Sequence, residues 1–194
     1  MVVKIHLYLL LMIAYMYALG NLNLFLISYA FIILHETSHV MMANLLKVKV
    51  FEVEMLPIGM NAKYERNISI IKELLISLAG PIASLLFYQF LKSPLLKSIN
   101  LFIALLNLIP LKPFDGGRIV SAVLQIIFDE EISKKITIYI QKNSLNLILI
   151  LMIFSIIKLK NYYLAIACIY IICILKEELK NERFNEIIRY LQID

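Results

Sequence analysis

Apolar positions follow one another in long blocks, at residues 5–19, 22–46, 74–91, 98–111, 136–157 and 161–175, with short polar or charged interruptions between them. Such blocks lack the polar face that a surface helix of a soluble protein keeps. Several approach the roughly 20 residues a helix needs to cross a hydrocarbon core. The pattern predicts an all-α polytopic membrane protein of about six transmembrane helices. Gly20-Asn21 leaves only a very short turn between the first two, which makes them an antiparallel hairpin. Residues 48–66 break the pattern. Val50, Val53 and Met55 alternate there with Lys49, Glu52 and Glu54, and Pro57 and Gly59 mark a bend. A short membrane-associated strand or hairpin is therefore expected after the second helix.

Two interruptions fall inside apolar blocks. Gly80-Pro81 in the third should kink a helix, because Pro81 lacks a backbone donor. Residues 107–119, NLIPLKPFDGGRI, hold two prolines and two glycines and cannot continue a regular helix. Broken backbone at membrane depth is tolerated only where protein or a wet cavity surrounds it. Beyond the last block, residues 176–194 mix Leu179, Phe184, Ile187, Ile188 and Leu191 with many charges, which predicts a short cytosolic amphipathic tail. Residues 1–175 are expected to form one membrane-embedded domain.

Composition agrees and adds an orientation. With 61% hydrophobic and 17% charged residues and a mean hydropathy of +0.84, a water-soluble globular protein is excluded. Of the 19 Lys and Arg residues, only Lys92, Lys97, Lys158 and Lys160 fall on the side opposite the termini under the six-crossing plan. Positive charge accumulates on cytosolic loops, so both termini are expected in the cytosol. The charges flank membrane blocks and no nucleic-acid partner is expected. Cys168 and Cys173 lack metal-site spacing and are read as packing residues. Reading the first block as a cleaved signal peptide would leave an odd number of crossings.

Between Ile5 and Leu46 the strongly ionisable side chains are His6, His35, Glu36 and His39, three of them within five residues. A charge at the centre of a membrane helix costs roughly 2.5–3.5 kcal/mol on insertion scales, so such groups mark function. His35-Glu36-Thr37-Ser38-His39 reads H-E-x-x-H. On a helix its histidines share one face a turn apart and can reach one zinc ion. Glu36 stands about 100° round the helix from His35, where it can act as acid and base toward a water without ligating the metal. With three His and eleven Glu in 194 residues, chance gives the pattern about 0.003 times per chain of this composition.

A catalytic zinc usually has three protein ligands. His6 stands at the expected cytosolic boundary, where a histidine needs no metal, and Asp129 shares an acidic loop with Glu130 and Glu131. Asp115 follows the broken-helix sequence and precedes Gly116-Gly117, whose missing side chains let the backbone approach a neighbour closely. It is the expected third ligand. The second and fourth blocks run in the same direction under the six-crossing plan, so the two halves of the site lie at similar depth. Asn107 has two readings, a hydrogen bond to a neighbouring helix or a substrate-positioning amide that stabilises a developing oxyanion.

HETSH in the second block, AGPIAS in the third and NLIPLKPFDGG after the fourth, in this order, resemble the site-2 protease (M50) family of intramembrane zinc metalloproteases. The small six-crossing plan is most similar to the sporulation branch of that family. The resemblance implies His35, His39 and Asp115 as ligands of Zn2+, Glu36 as the catalytic residue and Asn107 at the family's Asn position. It implies a membrane-associated protein substrate, the pro-sequence of a sporulation sigma factor, cut near the cytosolic face of the bilayer. Membrane regulatory or inhibitory proteins are implied as partners. The alternatives are another membrane substrate, such as an anti-sigma factor, or a non-catalytic membrane scaffold, against which the intact Glu36 speaks. This chain departs from the pattern in two places. Ser84 stands where relatives often carry Asn, and the short tail is not expected to hold the nucleotide-sensing domain of many relatives.

Overall fold

In a computed structural model the described residues are 2–5, 7–56, 59–65, 68–111 and 114–157. They form β1 (Val2–Ile5), α1 (Leu7–Ala18), α2 (Leu22–Leu45), β2 (Val50–Leu56), β3 (Gly59–Tyr64), α3 (Ile70–Phe90), α4 (Pro94–Asn107), α5 (Asp115–Ile127) and α6 (Glu130–Ile157). The sixth apolar block, the tail at 176–194, both cysteines and His6 lie outside the described residues.

α3 is the hub, packed against α2, α4 and α5. Its buried residues are mostly small, Ser77, Ala79, Gly80, Pro81 and Ser84 beside Ile76. Small side chains let helix backbones come close where lipid gives no hydrophobic drive for association. α3 also runs through Pro81 from Ile70 to Phe90 without interruption. The proline removes a bond to the Ser77 carbonyl, but packing on both sides overrides the local penalty.

α2 has 24 residues and α3 has 21, and both are apolar and long enough to cross a membrane. α1 and α4 are apolar but have 12 and 14 residues, roughly 18 and 21 Å at 1.5 Å per residue, short of a core of about 30 Å. The fifth apolar block lies within α6, whose first turns carry the i,i+4 pairs Glu130–Lys134 and Glu131–Lys135. α5 matches no apolar block, being amphipathic. Bulky apolar side chains point outward along these helices, among them Leu11, Leu45, Phe90, Phe102 and Ile127. Contiguous apolar surface of this kind suits lipid and not water.

α2 ends in a Schellman turn. Val48 N–H donates to Ala43 O at 2.8 Å and Lys47 N–H to Asn44 O at 3.0 Å, with Lys47 in the left-handed region at φ 56°. The turn seats Val48 against Ala43 and Ile76 and delivers the chain into β2. β2 pairs antiparallel with β3, Val53 opposite Ala62, and parallel with β1, Val53 beside Val3. The order β1-β2-β3 leaves β2 in the middle. The strand at 2–5 has no counterpart in the sequence reading. The α1–α2 hairpin supplies the long crossover that a parallel pair requires.

Candidate metal centre

α2 carries His35 and His39 on its inner face, 1% and 5% exposed, and the first residue of α5, Asp115, comes to meet them at 8%. Asp115 Oδ2 lies 3.0 Å from His35 Nε2 and 3.1 Å from His39 Nε2. The two imidazoles stand edge to face at 76°, ring centroids 5.0 Å apart. One ligand atom from each of the three residues falls within 4.8 Å of the others. The H-E-x-x-H motif and the aspartate 80 positions after His35 thus converge in space.

Each partner of the site is held from behind. His39 Nδ1 donates to Ile76 O at 2.6 Å, in the turn of α3 that Pro81 loosens. His35 Nδ1 meets Ser84 Oγ at 2.9 Å. Asp115 sits at the positive end of α5, which favours a carboxylate. Two glycines make room. A Cβ at Gly80 would fall under 3.0 Å from Nε2 of both histidines, and one at Gly116 would overlap the carbonyls of Leu108 and Ile109. The second contact folds α5 back on the broken turn after α4, which Leu111, Ile109 and Phe114 pin against Ile148 of α6.

The donor set fits zinc. A carbonyl can only accept, so His39 carries its proton on Nδ1 and turns a lone pair from Nε2 toward Asp115 Oδ2, itself an acceptor. A bound cation, or a proton shared between them, satisfies two such atoms at 3.1 Å. Ligand atoms at zinc bond lengths of about 2.0–2.1 Å in a tetrahedron stand roughly 3.3 Å apart, close to the separations found.

Glu36 is half-buried beside the histidines, within electrostatic reach of Tyr29 and Tyr64. The amide of Asn107 donates to Ile103 O at 3.0 Å, one turn back in its own helix. That bond stays within α4 and reaches no neighbouring helix, and a substrate-positioning role for the amide does not turn on it. Asp129 is exposed at the start of α6 and stands apart from the trio.

Four residues had no site role in the sequence reading, Ser84 having been noted only as a departure from the family pattern. Ser84 backs His35, and Asn100 of α4, 1% exposed, donates through Nδ2 to the Ser84 carbonyl. The signal for Ser84 was its place four residues after Gly80, on the same helix face. Tyr64 and Arg118 line a cavity of about 280 Å3 with Ile68, Glu73, Ile76 and Ser77. Because Ile76 also holds His39, this cavity adjoins the centre. Burial, assisted by Glu36 and Asp115 and opposed by Arg118, pushes the Tyr64 phenol up to about 12. It remains a neutral hydrogen-bond donor through the physiological range.

Comparisons with known proteins agree with the geometry. The description Peptidase family M50 matches residues 94–151, a range that holds Asn107 and Asp115 and begins after the H-E-x-x-H motif. A zinc metalloprotease of Methanocaldococcus jannaschii is 34% identical over 151 residues, 70% of this chain and 43% of that protein's length. The chain thus spans less than half of that relative. The solved structure of the site-2 protease from Methanocaldococcus jannaschii superposes with a TM-score of 0.62 at 28% identity, covering 87% of this chain and 86% of that one.

Proposed function

We propose, from its similarity to the site-2 proteases of peptidase family M50, that the chain is a zinc-dependent endopeptidase that cuts a membrane-associated protein. The observation that carries the reading is the buried trio His35, His39 and Asp115, its acceptors turned inward with Glu36 adjoining. His35, His39 and Asp115 would hold the ion. Zinc, when bound, supplies the Lewis acidity that polarises a scissile carbonyl and acidifies a water. Glu36 takes the proton of the attacking water and delivers it to the leaving amide nitrogen. Ser84 and the Ile76 carbonyl keep the two imidazoles in place while this happens.

The bilayer reading draws on the two long apolar helices and the apolar side chains that face outward. His39 lies about six residues and His35 about ten from the end of α2, roughly 9 and 15 Å along the axis. With the termini in the cytosol, as the charge distribution suggests, the cut falls near the cytosolic face. A membrane helix hides its backbone, so the substrate must be unwound and held extended. β2 cannot add a strand, since β1 and β3 occupy both its sides. The outer edge of β3, which ends at the cavity-lining Tyr64, is the place for it. Proline placed in the substrate beside the scissile bond removes the donors and spares the enzyme.

Within this reading the pro-sequence of a sporulation sigma factor is the first substrate to try, a membrane-bound anti-sigma factor the second, and membrane proteins that block or admit substrate are the expected regulators. The test is co-expression of a tagged membrane-associated candidate with the wild-type chain and with Glu36→Gln. A shortened product from wild type alone, at equal membrane levels, supports the assignment. Product from both removes Glu36 from the chemistry. Product from neither with any candidate, while the chain binds zinc, favours the scaffold reading.

A further inference from the structure

His39 and His35 differ in what faces their second ring nitrogen. Ile76 O can only accept, so His39 is fixed with its proton on Nδ1. Ser84 Oγ, 2.9 Å from His35 Nδ1, can donate or accept. A neutral His35 therefore has two arrangements that need no movement of heavy atoms. In one, the Ser84 hydroxyl donates to Nδ1, and Nε2–H donates to Asp115 Oδ2 at 3.0 Å. In the other, Nδ1–H donates to Ser84, and the Nε2 lone pair faces the centre. Only the second can ligate a cation. The ring holds one proton in either case, since the one lost from Nε2 and the one gained at Nδ1 are both exchanged with water.

Ser84 is placed for this and little else. It is 1% exposed, and among the described residues its hydroxyl has His35 as its one hydrogen-bond partner. Asn100 grips the Ser84 carbonyl from α4, its own Oδ1 meeting no protein partner among the described residues.

We propose that Ser84, anchored by Asn100, is the positioning residue that sets the tautomer of His35. It holds the ligand-ready form when a divalent metal is present and the form paired with Asp115 when it is absent. The inference rests on the zinc reading of the site. It is tested on the purified full chain in detergent by titrating Zn2+ against a chromophoric chelator. Wild type should take up one ion per chain. Ser84→Ala should bind 10–100-fold more weakly, the usual cost of losing a group that orients a metal-bound histidine. Ser84→Thr should stay near wild type while Ser84→Val, equal to it in size, falls with Ser84→Ala. Nitrogen NMR of 15N-histidine protein, in which only three side chains contribute, should show the His35 proton moving from Nε2 to Nδ1 on adding one equivalent of Zn2+. Equal affinity of wild type and Ser84→Ala, of the Thr and Val variants, or a His35 tautomer that zinc does not change overturns the proposal. A wild type that takes up no zinc overturns the metal reading beneath it.

Discussion

Gly80 lies against the reactive nitrogens of both imidazoles, and no larger residue fits there. Gly80→Ala must push α3 off α2 or turn the rings away. The overpacking costs about 1–3 kcal/mol, and zinc affinity should fall at least about tenfold while helix content persists, as metal titration and circular dichroism would show. Glu36→Gln is the opposite case. It should keep its zinc and lose about 10²–10⁴-fold in the rate of peptide cleavage, the worth of a positioned general base. The motif residues were legible in the sequence because their chemistry is dictated by spacing along one helix. Asp115 was legible because so few carboxylates occur near apolar sequence and because two glycines follow it. Ser84, Asn100 and Tyr64 were not, since their partners are 49, 16 and more positions away and only packing selects them.

At the level of elements, the end of α2 sets the angle at which the sheet meets the site. Lys47 occupies the left-handed position of its Schellman turn without the glycine usual there. Lys47→Gly should stabilise the protein by about 0.5–1 kcal/mol, read as a raised denaturant midpoint in detergent. β1 is clasped to β2 by Lys4 and Glu52 at 2.9 Å. The hydrogen bond to Lys4 and the charges of Lys4 and Lys63 hold the Glu52 carboxyl below its ordinary range. A depressed carboxyl stabilises the fold at any pH above its unfolded value of about 4.3 and stops doing so as pH falls through the lower folded value. Amide protection in β1 should therefore drop on acidification into that range, and Glu52→Gln should show the lower protection already at pH 7. The long apolar helices and the break after α4 were readable from hydropathy and proline alone. β1 was not, because four residues before an apolar block carry no period, and α5 was not, because its amphipathic pattern opens inside a turn signal.

For the molecule as a whole, removal of metal should matter more than any single substitution. Chelation should abolish cleavage and lower thermal stability, with Zn2+ restoring both, because the trio is where α2 and α5 meet and an ion held there stabilises only the folded chain. The same join has a bearing on how the protein is made. The ribosome adds 80 residues between His35 and Asp115, about 4–16 s of synthesis at 5–20 residues per second. During that interval the first helices carry two thirds of a ligand set and nothing to complete it. The order of the motifs along the chain thus works as a delay: the ligand set stays incomplete until the ribosome has passed Asp115.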